Sequence, residues 1–400
     1  MGARYDDIAA LDAAFHLPIY ARKPVLFVRG SGMRLYDDAD REYLDFIAGI
    51  GAVNLGHAHP AVARAVCEQM GRLVQVSNLY HVEHRAALAE RLSGLAGGGW
   101  KAFFCNSGTE AIEGAIKLAR RWGKARRGLE CYEVVSAERS FHGRTLGALA
   151  ATGQASKQEA FEPLPAGFAH VPLNDLAALD AAVSERTCAL LLEPVQGEGG
   201  VYPCDEAYLV AARRLCDERE VLLILDEVQT GFFRTGPAFA WQGYGVRPDV
   251  MTLAKSLANG LPAGAVLASG SAADAFTPGD HGSTFGGGPV ICAAALATID
   301  ALEAEHLGDN AESTGAALRA ALQELAIATG KITDVRGRGL MLAAELVDPA
   351  APSVASGCLD RGLVLNAIGD RTLRLLPPLV CNIQEIDILL DTLRELLGAN

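Results

Sequence analysis

The stretch that decides the fold is Val221-Leu222-Leu223-Ile224-Leu225-Asp226-Glu227-Val228-Gln229, echoed by Asp249-Val250-Met251-Thr252-Leu253-Ala254-Lys255-Ser256. The apolar run at 221–225 is too short to span a membrane and too uniformly branched for a surface helix. It reads as a strand buried on both faces, the pattern of a parallel sheet. Ligands of open α/β sheets sit beyond the carboxyl ends of the strands, and Asp226 lies at such an end. The second apolar run, 250–254, delivers Lys255 to the same rim.

An acid and a lysine presented together there have two sharp readings. A nucleotide hydrolase would need a glycine-rich loop ending in Gly-Lys-Ser/Thr to cradle phosphates. No such loop occurs in the chain, and Lys255 follows Leu-Ala. The other reading is pyridoxal phosphate (PLP), where a lysine forms the Schiff base and an aspartate keeps the pyridine nitrogen protonated. Taken singly, either residue reads more simply as a helix cap or a solvated cation. The surrounding motifs decide between these.

Upstream, the strand Lys101-Ala102-Phe103-Phe104-Cys105 runs into the turn Asn106-Ser107-Gly108-Thr109-Glu110. Ile112, Ala115, Ile116 and Ala119 then recur at helical spacing, so a helix starts near Thr109. A helix N-terminus after a small, glycine-containing turn is an anion site, though Ser or Thr there would also serve as a plain N-cap. The strand at 132–136 ends in Ser140-Phe141-His142-Gly143-Arg144-Thr145, offering an aromatic ring and an arginine for a ring and a carboxylate. The strand at 187–192 ends in Glu193, before a glycine-rich loop. Arg374 interrupts the apolar run Thr372-Leu373-Arg374-Leu375-Leu376, and a cation buried there should be paired or functional.

The remaining chain predicts a hairpin from Pro24-Val25-Leu26-Phe27-Val28 through a turn at 29–32 to Met33-Arg34-Leu35-Tyr36. Helices are expected at 290–305, 311–329, 353–361 and 384–397. Strands are expected near 332–335, 340–346 and 363–365. His57 and His59 read as turn and packing residues, since two histidines make no metal site. No repeat or low-complexity segment is visible.

With 400 residues the chain can bury a large core, in an expected two domains. A net charge of -13 with no basic run argues against nucleic acid. Met1 to Asp7 leads into no sustained apolar region, and no segment approaches the roughly 18 apolar residues of a membrane helix. Nine scattered cysteines without a C-x-x-C pair read as reduced core residues of a cytoplasmic protein.

In this order, the motifs resemble the class III (ornithine-type) aminotransferases of PLP fold type I, from Tyr36-Asp37 to Pro377-Pro378. Ser77-Asn78-Leu79-Tyr80, Phe103-Phe104-Cys105-Asn106-Ser107-Gly108, Phe141-His142-Gly143-Arg144-Thr145 and His281-Gly282-Ser283-Thr284-Phe285-Gly286-Gly287 carry the likeness. The resemblance implies an α/β fold with a mostly parallel sheet in a PLP-binding large domain at 56–290. A smaller α+β domain would comprise 291–400, joined by an N-terminal arm and short strands at 1–55. Lys255 would hold the cofactor and shuttle the proton, Asp226 would pair with the ring nitrogen, and Gln229 would bind the phenolic oxygen. Phe141 would stack on the ring, with Val228 also in the cofactor-binding set, while Ser107, Gly108 and Thr109 hold the phosphate.

The likeness also implies a homodimer, with Thr284 reaching the phosphate and Ser283 the substrate from the other subunit. Arg144 would take a substrate carboxylate, and Arg374 the α-carboxylate of glutamate or 2-oxoglutarate. Glu193 looks like a switch that pairs with Arg374 for one substrate and releases it for the other. Within the family the likeness is to the branch acting on N-acetylornithine. The 4-aminobutyrate and ornithine branches and an aminomutase stand as alternatives. Ile50 replaces an expected tyrosine of the ornithine branch. Gly288 and the pair Phe232-Phe233 depart from the pattern, which touches substrate detail and not the cofactor chemistry.

Overall fold

A computed structural model describes residues 3–398 of the chain. Met1 and Gly2, part of the N-terminal stretch read above, lie outside the described residues.

The centre is a seven-stranded sheet ordered Trp100–Cys105, Gly264–Ser269, Val250–Leu253, Leu222–Asp226, Thr187–Leu192, Glu133–Ala137, Phe168–Val171. Leu222–Asp226 pairs in parallel with a neighbour on each side, Thr187–Leu192 and Val250–Leu253. Every residue of these three strands is buried. This explains their largely apolar runs: helices cover both faces, and each enclosed Leu, Ile or Val stabilises by about 1.5–3 kcal/mol. One strand, Gly264–Ser269, runs antiparallel to both of its neighbours.

Because the other strands share a direction, their carboxyl ends open onto one rim. Cys105, Ala137, Leu192, Asp226 and Leu253 each end a strand there, and the loops that follow build the site. The helix Gly108–Arg127 packs its buried face (Ala111, Ile112, Ala115, Ala119) on the sheet with its N-terminus at this rim.

Beside a two-stranded ribbon, Val195–Gln196 with Tyr202–Pro203, there are two four-stranded sheets. In one, Phe27–Ser31, Arg34–Asp37 and Glu42–Asp45 are joined by Leu363–Val364, which pairs in parallel with Glu42–Asp45. The other is formed by Ile332–Arg338, Met341–Leu346, Thr372–Leu375 and Asn366–Ile368. A buried guanidinium ties these regions together. Arg234 is 0% exposed and donates to the carbonyls of Leu340 and Pro377 and to Asn54 Oδ1.

Three local expectations differ. The first hairpin turns at Gly32-Met33, later than the reading, because Gly32 takes a left-handed φ of 56° that suits the tight turn. Ala3–Phe15 is a helix where an arm was expected; its apolar residues spread around the axis and give no periodic signal. Leu307–Thr329 begins four residues earlier than read, directly after His306, whose left-handed φ of 54° breaks it from Pro289–Ala304. His57 and His59 bind separate carboxylates, Asp45 at 2.8 Å and Glu305 at 2.9 Å. Cys67 is exposed and the other eight cysteines are buried, all as free thiols.

Candidate active site

A cavity of about 420 Å³ opens at the rim, within the usual size of a small-molecule site. Lys255, Asp226 and Gln229 line it, with Ser107, Gly108 and Thr109 at one end. Phe141, Val228, Arg144 and Glu193 complete its wall. Arg374, Ser283 and Thr284 are not among the lining residues.

Lys255 follows strand Val250–Leu253 and adopts a left-handed φ of 42°, a strained setting for a side chain without special need of it. Burial brings its ammonium down to about 8, with Glu198 opposing that shift and Arg374 adding to it. A lysine so lowered supplies free amine near neutral pH, the form that attacks a carbonyl.

Asp226 is 5% exposed and fully engaged. Its Oδ1 accepts from the Val228 N–H at 3.1 Å and the Thr252 hydroxyl at 3.0 Å. Its Oδ2 lies 2.8 Å from His142 Nδ1. A carboxylate can only accept, so Nδ1 carries the proton and His142 orients the acid. Neighbouring Glu227 points away. Its carboxylate receives the N–H groups of Ala240 and Trp241 and the Thr230 hydroxyl, and burial raises it to about 7.

At the far end, the Ser107 hydroxyl caps helix Gly108–Arg127 by accepting from the Glu110 N–H at 3.3 Å. The first-turn N–H groups of Gly108 and Thr109 have no intrahelical partner and aim the positive end of the helix at the cavity. Gly143 closes this corner. Its φ is 135°, and a Cβ there would fall 2.2 Å from Thr109 Oγ1. Only glycine lets the loop carrying Phe141 and Arg144 approach so closely.

The model of the aminotransferase class-III family matches residues 19–397. The acetylornithine aminotransferase 1 of Bordetella pertussis is 52% identical over 92% of this chain and 94% of its own length. The chain belongs to the class III aminotransferases. A solved ornithine aminotransferase of Toxoplasma gondii, which has PLP at partial occupancy in its active site, superposes with a TM-score of 0.94. It is 32% identical over 98% of this chain and 94% of its own. The acetylornithine aminotransferase of Elizabethkingia anophelis superposes with a TM-score of 0.88 at 32% identity, covering 98% of both chains.

The residues of this class III aminotransferase fit PLP, the cofactor of the family. Phe141 and Val228 offer apolar surface for a flat ring, an acid and a lysine stand at the wall, and a helix N-terminus can take a phosphate. The Gln229 side chain lines the cavity and its oxygen has no hydrogen-bond partner among the described residues, so the amide is free to turn its N–H groups to a group bound there.

The expected pairing of Glu193 with Arg374 is not what the aminotransferase forms. Arg374, 0% exposed, ion-pairs with Glu198 and donates from Nε to Asn366 Oδ1 at 3.0 Å. Burial alone would raise the Glu198 carboxyl, but Arg374 prevails and holds it below its usual range. Glu193 turns inward instead. Its two oxygens accept the N–H groups of Phe141 and Gly197, both at 2.9 Å, and burial lifts it to about 7. The reason is the Gly197–Glu198 turn, which swings the second acid of the loop across the cavity toward Arg374.

If Glu198 is the gate on Arg374, Glu198→Ala should leave the arginine permanently open. The expected result is a shift of about tenfold in the ratio of half-reaction rates toward glutamate and away from the second donor, read by single-turnover absorbance. An unchanged ratio would remove the gate from the mechanism.

Arg144 is exposed and lies 5.7 Å over the Phe141 ring. Thr284 is exposed, and its carbonyl accepts from the Gln75 amide at 2.7 Å. Ser283 Oγ accepts from the Asn106 amide at 3.3 Å. Sequence reasoning passed over His142, Thr252 and Glu198 as site residues. His142 could have been found from its place in the same loop as Phe141, and Glu198 from being the second acid after strand Thr187–Leu192. Thr252 gives no signal, being one more β-branched residue in an apolar strand.

Proposed function

We propose that this class III aminotransferase exchanges the δ-amino group of N2-acetyl-L-ornithine with 2-oxoglutarate, giving N-acetylglutamate 5-semialdehyde and L-glutamate. The observation that carries the reading is the latched arginine: Arg374 held by Glu198, with a second arginine, Arg144, lining the cavity and in no ion pair among the described residues. A pocket that takes two differently charged donors in turn needs one carboxylate clamp always available and another that can be neutralised. PLP, when bound, would accept the electrons released as the C–H bond breaks at the carbon bearing the transferred amine, Cδ of N-acetylornithine or Cα of glutamate.

The chain's own residues do the rest. Lys255 would hold the cofactor and carry the proton taken from the substrate carbon. Asp226, oriented by His142 and Thr252, keeps a positive charge on the ring nitrogen. Gln229 donates to the ring oxygen, while Phe141 and Val228 hold the ring's plane. Ser107, Gly108 and Thr109 anchor the phosphate. Arg144 takes the carboxylate of N-acetylornithine, and Arg374, once Glu198 moves off, takes the α-carboxylate of glutamate.

The same reading has the chain act as a cytoplasmic homodimer, with Thr284 and Ser283 completing the partner's site. Phe285 is 67% exposed beside them, and Leu79 and Tyr80 are 87% and 66% exposed on the segment that hydrogen-bonds this loop. Apolar surface of this kind suits a second copy of the chain. No helix among the described residues is long and apolar enough to cross a membrane. The reading further divides the chain into a cofactor-binding large domain at 56–290 and a smaller one from 1–55 and 291–400.

The deciding experiment is a half-reaction on the holoenzyme without keto acid, following the cofactor's near-visible absorbance. N-acetylornithine and glutamate should react fast, ornithine and 4-aminobutyrate slowly. A preference for 4-aminobutyrate would reassign the donor and leave the cofactor residues in place.

A further inference from the structure

Glu193 lines the cavity, is buried, and spends both carboxylate oxygens on backbone. Oε1 accepts the N–H of Phe141 and Oε2 the N–H of Gly197, each at 2.9 Å. These N–H groups belong to two different segments. Phe141 lies in the loop after strand Glu133–Ala137, and Gly197 in the turn after Val195–Gln196.

Each end of this bridge carries part of the site. Phe141 brings the ring surface and, one residue on, His142, whose Nδ1 meets Asp226 at 2.8 Å. A Cβ at Gly197 would fall 2.0 Å from Gln229 Oε1, so the backbone of the turn packs directly on the Gln229 amide. The next residue, Glu198, ion-pairs with Arg374. One carboxylate therefore spans the segments that present the stacking ring and the arginine latch. An ionised carboxylate accepts at both oxygens, whereas an amide accepts at one and turns N–H groups to the other. Either buried N–H left without an acceptor is costly, so the two segments keep their spacing while both bonds stand.

We propose that Glu193 is a positioning residue that couples the cofactor's stacking surface to the latch. It fixes Phe141 and the Gly197–Glu198 turn relative to one another, so the plane offered to the ring and the hold on Arg374 are set together. This rests on the latch reading above and deepens it, since it gives Glu198 its anchor.

The test is Glu193→Met in the holoenzyme, which keeps the length of the side chain and removes both acceptors, alone and combined with Glu198→Ala. Amide hydrogen exchange in peptides covering 139–145 and 195–200 should quicken by about tenfold, the scale of a lost hydrogen bond to a charged group. The circular dichroism of the bound cofactor should change. The ratio of half-reaction rates should shift about threefold to tenfold toward glutamate, and the double variant should go no further than Glu198→Ala alone, because both act on one latch. Both half-reactions slowed in the same proportion, or shifts that add, overturn the proposal. If Glu198→Ala alone leaves the ratio unchanged, the latch reading fails separately. Glu193 is then decided by exchange and dichroism, and no change in either overturns it. Should the Met variant fold poorly, Glu193→Gln keeps one acceptor and serves instead. Faster exchange at 195–200 must then accompany a shifted ratio, and faster exchange at 139–145 a changed dichroism; any other pairing overturns the coupling.

Discussion

Replacing Lys255 with alanine is expected to lower turnover by about 10⁴-fold or more, the scale of losing a nucleophile and a general base together. The substitution removes the lowered amine at the cavity wall and the group that moves the proton. Cofactor binding should weaken less than turnover, because the helix N-terminus, Asp226 and the Phe141–Val228 slot remain. Exposure of the variant to a small primary amine should return part of the rate if proton transfer is the main loss. Turnover within tenfold of the parent enzyme would take Lys255 out of the chemistry.

The second large effect is expected at Asp226. Asp226→Asn keeps the shape and an acceptor for the Val228 N–H and the Thr252 hydroxyl but removes the charge, so kcat should fall by about 10²–10³-fold. The amide also confronts His142 Nδ1, 2.8 Å away and wholly buried, with a choice of tautomer that the carboxylate never offered. Binding of the cofactor phosphate should persist, since the helix that holds it is untouched. The measurement is kcat in parallel with cofactor affinity. A variant whose affinity collapses while kcat per bound cofactor is preserved would make Asp226 an anchor without an electronic role.

The sheet and its rim were legible because burial on two faces leaves a plain mark: residues 188–192 and 221–225 are unbroken apolar runs, 250–254 is interrupted only by Thr252, and each stops at a polar residue. The family likeness then located the groups at those stops. What stayed illegible depends on which way a side chain turns after the strand ends. Glu193 and Glu198 are both acids in one glycine loop, and only the backbone path shows that the first caps N–H groups while the second meets Arg374. His142 lies in a motif that was read, yet its partner Asp226 is 84 residues away, beyond any local pattern. The N-terminal helix Ala3–Phe15 has no apolar stripe to announce it. Phe232 and Phe233 both take left-handed φ values, 56° and 67°, and nothing in their side chains anticipates that backbone.

The parallel pairing of Glu42–Asp45 with Leu363–Val364 also sets a schedule for synthesis on the ribosome. The first strands leave the exit tunnel roughly 300 residues before their last partner is made, an interval of about 15–60 s at 5–20 residues per second. Through that interval the outer edge of Glu42–Asp45 is an open template for foreign strands. Arg234 waits in the same way for the carbonyls of Leu340 and Pro377. A nascent chain of this protein would therefore carry its lysine and its aspartate well before it can close the frame around them, and that window is where a holding chaperone would act.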